Sequence, residues 1–100
     1  MRRAARIDAN QPEIVDALRA IGATVAITSG LGDGFPDLVV GYGLTTLLME
    51  VKDGKRAPSD RQLTPDQLKW HGAWTGGPVA VVLDVRGALA ACRAVSVAGA

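Results

Sequence analysis

Two carboxylates and a lysine sit at the ends of short apolar runs in this chain: Asp37 in Gly34-Phe35-Pro36-Asp37, ahead of Leu38-Val39-Val40, and Glu50 and Lys52 in Met49-Glu50-Val51-Lys52. Side chains alternate along a strand, so Leu47, Met49 and Val51 share one side of the second run, and Leu48, Glu50 and Lys52 share the other. Gly41-Tyr42-Gly43-Leu44 is short enough to join the two runs as an antiparallel hairpin, which brings Asp37 beside Glu50. Converging carboxylates repel unless a cation lies between them, and hard oxygen ligands at a partly open site suit Mg²⁺ or Mn²⁺. Lys52 adds a point charge that could hold an attacking water or offset charge on a phosphoryl transition state.

The elements that must position these residues can be read in order. Residues 1–9 form a basic lead-in carrying Arg2, Arg3 and Arg6. Asn10-Gln11-Pro12-Glu13 starts a helix, with Asn10 as N-cap, Pro12 in the first turn and Glu13 placed to complete a capping box. Ile14, Leu18 and Ile21 form its apolar stripe, and Gly22 stops it. Residues 23–28 read as a strand, and Ser29-Gly30-Leu31-Gly32-Asp33-Gly34 is a glycine-rich loop. The loop is either a plain connection or a place for backbone and the Ser29 hydroxyl to approach a phosphate; it lacks the Gly-Lys-Ser/Thr of a Walker A motif.

After the hairpin, residues 53–61 are polar and broken by Gly and Pro, a surface loop that leaves the sheet beside Lys52. Its Lys55, Arg56 and Arg61 are either solvated surface or contacts to a DNA backbone. Thr64-Pro65-Asp66-Gln67 opens a helix with Thr64 as N-cap and Gln67 closing the box. Leu63, Gln67, Trp70 and Trp74 recur at helical spacing, which predicts an inward face with both tryptophans in the core rather than free as stacking platforms. Lys69 and His71 can reach solvent or phosphate, and His71 without a paired base or nucleophile is poor evidence for acid-base chemistry. Residues 79–83 form a continuous apolar strand, Asp84 caps a last helix, and residues 94–100 read as a small apolar tail without a motif.

One hundred residues support a single domain spanning 1–100. A net charge of +1 argues against a protein that coats nucleic acid by bulk charge. A lone cysteine, Cys92, precludes an internal disulfide, and with a single histidine it leaves no ligand set for a structural zinc. With no membrane-length apolar run and no secretory leader in the first residues, the expected location is intracellular, in the cytoplasm.

In Pro36-Asp37 and Glu50-Val51-Lys52 the chain resembles the two half-motifs of the PD-(D/E)XK nuclease superfamily. Within it the likeness is to the small VRR-NUC (virus-type replication-repair nuclease) domains, relatives of Holliday junction resolvases. The resemblance runs over roughly residues 7–93, because the acidic helix start at Glu13, Ser29 with its glycine-rich turn, and Thr64-Pro65-Asp66-Gln67 follow in the same order. It implies an α/β (α+β) restriction-endonuclease-like core, a central mixed sheet of about four strands flanked by helices in the order αβββαβα. The activity it implies is metal-dependent endonucleolytic cleavage of DNA, selective for junctions or flaps, in a protein of viral or mobile-element origin. Asp37, Glu50 and the Val51 carbonyl then bind the metal, with Glu13 on the first helix as a further ligand unless it is only a cap. Lys52 handles the water, and Gln67 supports the site unless it too is only a cap. Ser29, Lys55, Arg56, Arg61 and Lys69 are the DNA-contact candidates. Symmetric cutting of two strands needs two sites, which favours a homodimer. Two other readings remain: a nucleic-acid-binding module that keeps the nuclease fold without cutting, and a structural or small-ligand domain in which the motifs are coincidental. The last requires Asp37 and Glu50 to diverge in space.

Overall fold

The computed structural model describes residues 7–98; Arg2, Arg3 and Arg6 lie outside them. The elements are α1 (Gln11–Ala20), β1 (Thr24–Ile27), β2 (Leu38–Tyr42), β3 (Thr45–Val51), α2 (Pro65–Ala73), β4 (Val79–Val82) and α3 (Val85–Ala98), the expected αβββαβα order. The sheet is mixed and runs β1-β2-β3-β4. β1, β2 and β3 are antiparallel neighbours, while β4 lies parallel to β3 after the crossover through α2. A parallel pair needs such a long connection because its second strand must restart at the same end of the sheet.

Alternation in β3 sorts its side chains as expected. Leu47, Met49 and Val51 enter a core with Leu38 and Val40 of β2, Ile14, Val15 and Leu18 of α1, and Ala88 and Cys92 of α3. The opposite face presents Glu50 and Lys52 to α2. The hairpin closes tightly: Tyr42 pairs with Thr45, leaving Gly43 and Leu44 as the two turn residues, both at positive φ. That conformation matches the twist of the flanking strands.

Three local expectations are revised. Asn10 precedes α1 but makes no side-chain cap. Its Nδ2 instead donates to the carbonyls of Lys52 and Leu83, at 3.3 and 3.0 Å, tying the ends of β3 and β4 to the helix start. Asn10 is buried, so its amide must find partners inside the fold, and these strand-end carbonyls are within its reach. Asn10→Asp replaces the donor with an oxygen and is expected to cost about 1–3 kcal/mol, read from urea denaturation at neutral pH. Ile21 is exposed and Val15 takes its place in the core. The expected tail from residue 94 is helical as far as Ala98, since small residues such as Ala and Ser do not stop a helix already nucleated by Asp84, whose Oδ1 accepts the Gly87 N–H at 2.7 Å.

Candidate active site

The β2–β3 register builds the site. Leu38 pairs with Met49, so one step further Asp37 lies across from Glu50. Thr28 fixes the Pro36-Asp37 segment: its N–H donates to the Asp37 carbonyl at 2.8 Å and its Oγ1 to the Pro36 carbonyl at 2.7 Å. The Asp37 carboxylate accepts the Val51 N–H at 2.8 Å. N–H and C=O of one strand residue point to the same edge, so the Val51 carbonyl also faces the gap beyond the last β2–β3 pair. The two carboxylates converge closely enough to share a hydrogen bond. Glu50 is only 1% exposed, and burial, reinforced by the bond to Asp37 and its charge and opposed by Lys52, pushes its carboxyl up to about 9. At neutral pH without a cation, Glu50 therefore holds a proton.

Helix α2 completes the constellation. Thr64 and Gln67 form the expected capping box, with Gln67 N–H donating to Thr64 Oγ1 at 3.2 Å and Thr64 N–H to Gln67 Oε1 at 2.9 Å. The same Gln67 side chain reaches the sheet. Its Oε1 accepts from Lys52 Nζ at 2.8 Å and its Nε2 donates to Glu50 Oε2 at 3.1 Å. Cap and site support are thus one residue in two roles. One turn on, His71 Nε2 stands 3.4 Å from Glu50 Oε1. Burial, and then the charge of Lys52, lower the His71 pKa, so this is a contact between neutral groups at neutral pH rather than an ion pair.

Gly34 lets α2 come this close. It has φ +82°, and a Cβ there would run into the backbone carbonyl of Asp66. Gly34→Ala is therefore expected to cost at least about 1–3 kcal/mol and to dislodge α2. Because α2 carries Trp70 and Trp74 is its C-cap, near-UV circular dichroism read beside a denaturant melt checks both effects.

A cavity of about 430 Å³ opens over these groups, lined among others by Asp8, Ser29, Asp37, Glu50, Val51 and Lys52. Of the DNA-contact candidates, Ser29 and Arg56 line it. Ser29 is buried and accepts from Gln11 Nε2 at 3.2 Å. Arg56 is exposed and ion-paired with Asp60 at 3.7 Å. Glu13, Lys55 and Arg61 instead line a separate cavity with Asn10, Asp53 and Asp84. Lys69 is exposed and, two residues after Gln67, lies about 200° around the helix from it.

The structure does not bring Glu13 to the carboxylate pair: it is exposed on α1, while the buried first-turn residue is Gln11. The acid from this part of the chain that reaches the cavity is Asp8, whose pKa is raised by burial, with the nearby Lys52 opposing and Asp37 adding to the shift. Sequence reasoning missed Asp8, Gln11 and His71. Asp8 lies in a lead-in with no periodic signal. His71 left one, since residues four apart on a helix share a face and Gln67 is already a site candidate by its position.

Among the described residues no three His, Cys, Asp or Glu side chains stand together at metal-holding distances. The oxygen donors at hand are the Asp37–Glu50 pair and the Val51 carbonyl. Two carboxylates buried side by side, with the carboxyl of Glu50 pushed up by burial, are a site that a hard cation would relieve, with water from the open cavity completing its shell, so the donor set fits Mg²⁺ or Mn²⁺. No protein-family model, curated protein or solved structure matches the chain. The chemistry of the site therefore rests on its geometry. Among the described residues no helix is long and apolar enough to cross a membrane.

Proposed function

We propose that this chain is a metal-dependent endonuclease that hydrolyses DNA phosphodiester bonds, with Asp37, Glu50 and the Val51 carbonyl holding Mg²⁺ or Mn²⁺. The observation that carries the reading is that the buried Asp37 and Glu50 face each other across the hairpin, beneath an open cavity and next to Lys52. A domain whose motifs were coincidental would gain nothing from burying two acids against each other, a destabilising arrangement that function explains.

When bound, the cation would supply the positive charge that lets Glu50 ionise beside Asp37 and that polarises a phosphoryl oxygen. The protein groups do the rest. Lys52, 7% exposed and held by Gln67, keeps its ammonium over the cavity, where it offsets charge on the phosphate and orients the incoming water. Gln67 fixes Lys52 and Glu50 at once, so their separation is set by one rigid amide. His71 holds the other Glu50 oxygen. Ser29 receives the Gln11 amide on its oxygen and has its own proton to give to a phosphate. Arg56, at the rim, is placed for the next phosphate along the strand. Preference for branched or flapped DNA and action as a homodimer belong to the same proposal.

The test is cleavage of end-labelled single-stranded, duplex, flap and four-way DNA with Mg²⁺, with Mn²⁺ or with EDTA. Cutting confined to the metal reactions is expected. Tight DNA binding without cutting in any of them would overturn the nuclease reading in favour of a non-catalytic binding module.

A further inference from the structure

The chain has one phenylalanine and two tryptophans, and none of the three is in the buried core. They stand together beside the cavity instead. Phe35 lines it; the Phe35 and Trp70 rings meet edge to face at 5.1 Å; and Trp70 stacks on Trp74 at 5.0 Å with 17° between their planes. The row therefore starts at the lip of the carboxylate–lysine site and runs outward to Trp74, which is 41% exposed. Trp74 is held in place and only partly covered. Its Nε1 donates to the Gly77 carbonyl at 2.9 Å, and Gly76 passes so near the six-membered ring that a Cβ would collide with it. A small aliphatic-cored domain that leaves Phe35 and Trp70 half-buried and Trp74 exposed, and fixes their orientation, has built a surface for a flat partner.

We propose that this aromatic row is a stacking platform for an unpaired base of the substrate, with Trp74 as its outer, specificity-determining ring. This rests on the nuclease reading of the cavity, because that reading supplies the occupant. A phosphodiester seated over Asp37, Glu50 and Lys52 must send a neighbouring nucleotide past Phe35, and the next surfaces it meets are indole rings. Only an unpaired base can use them: in a duplex each base face is already stacked on its neighbours, while a free base stacks on an aromatic ring whatever its identity. The substrate class that follows is nucleic acid with a single-stranded segment beside the bond to be cut, such as a single strand or a flap, in preference to continuous duplex.

The experiment is a titration of tryptophan fluorescence in EDTA with oligothymidylate and, separately, with duplex of equal length, using the full chain, Trp74→Ala and Trp74→Phe. Oligothymidylate is expected to quench the emission of the unsubstituted protein. Trp74→Ala is expected to weaken single-strand binding roughly ten-fold and to leave duplex binding as it was, while Trp74→Phe, which keeps a ring, retains most of the affinity. Equal single-strand affinity in Trp74→Ala overturns the proposal. So does an equal loss on both ligands, the mark of a merely structural role, or a dimer that Trp74→Ala dissociates without change in DNA binding, the mark of a second copy as occupant. Cleavage reactions run in parallel separate this from the nuclease reading. A protein that binds and quenches but never cuts with Mg²⁺ or Mn²⁺ keeps the platform and loses the nuclease, and one that cuts single strands equally well after Trp74→Ala does the reverse.

Discussion

Lys52→Ala is expected to lower metal-dependent DNA cleavage by roughly 10²–10³-fold or more while the domain stays folded and still binds DNA. Lys52 lies on the sheet face away from the aliphatic core, so its loss opens no gap among Leu47, Met49 and Val51. Its side-chain partner among the described residues, Gln67 Oε1, remains satisfied by the Thr64 N–H. What disappears is the ammonium, and with it the charge that faces a phosphate in the cavity. Asp37→Asn is the matching test on the ligand side. An asparagine oxygen can still accept the Val51 N–H, so the end of β3 stays in place, but the negative charge needed for a cation is gone. Initial rates on labelled flap DNA, measured beside a thermal melt and a binding curve for each variant, check both expectations. Full activity in either purified, folded variant removes that residue from the mechanism.

Glu50→Gln is expected to abolish cleavage and, in the metal-free protein, to raise stability. The physical reason is the direction in which Glu50 is shifted. Burial first, and then Asp37, lift its pKa from 4.5 to about 9, with Lys52 opposing. Above its unfolded pKa the chain releases this proton on unfolding, whereas the folded state keeps it. Its contribution to stability is therefore complete below about pH 4.5 and is lost as pH rises toward about 9. Asp8, also raised by burial, acts in the same direction. His71, whose pKa is lowered from 6.5, acts in the other: its contribution is present above that value and falls away as pH drops below it. The difference between wild type and Glu50→Gln isolates the Glu50 part. Melts in EDTA at pH 5, 7 and 9 should show the variant gaining on the wild type as pH rises, with each kcal/mol of relief moving Tm by roughly 4–8 °C in a domain of this size. A constant gap between the two across that range would mean that Glu50 is not held protonated. A residue that destabilises the fold where it sits is one retained for what it does there.

The hairpin and the helix ends differ in how far the sequence reaches, and the reason is range. Side-chain alternation in β3 and the glycine-punctuated Gly41-Tyr42-Gly43-Leu44 connection are local, and together they put Glu50 and Lys52 on one face with Asp37 across a hairpin; the structure shortens that connection to Gly43 and Leu44, since Tyr42 pairs with Thr45. The Thr64–Gln67 box is equally local, and it forms as written. At Asn10 a local rule picks out the right residue but the wrong partner. A cap signal sees only the helix, while the strand-end carbonyls of Lys52 and Leu83 that claim the Asn10 amide are distant in the chain. Glu13 is displaced for a related reason. An N-terminal acid on a helix is legible, but its rotation relative to the sheet is set by Ile14, Val15 and Leu18 entering the core, and that rotation leaves Glu13 in solvent.

The tryptophans mark the boundary most clearly. Periodicity puts Gln67, Trp70 and Trp74 on one face, and a face with two indoles is expected to turn inward. The core is closed on the other side of the sheet by α1 and α3, and α2 meets the polar face, where Gln67 and His71 are taken up by Glu50 and Lys52. By itself the sequence determined the order of elements, the hairpin, and the shared face of Glu50 and Lys52 with Asp37 near Glu50, because these follow from repeat lengths and turn residues within a few positions of each other; the register itself came from the structure, where Gly41 and Tyr42 are part of β2. Only the tertiary structure decided that Asp8 rather than Glu13 reaches the cavity, that Gln67 is both cap and clamp, and that the aromatic row stays out of the core. Those depend on which surface each element finds to cover, and hydrophobic period names the residues that share a face without saying what that face will meet.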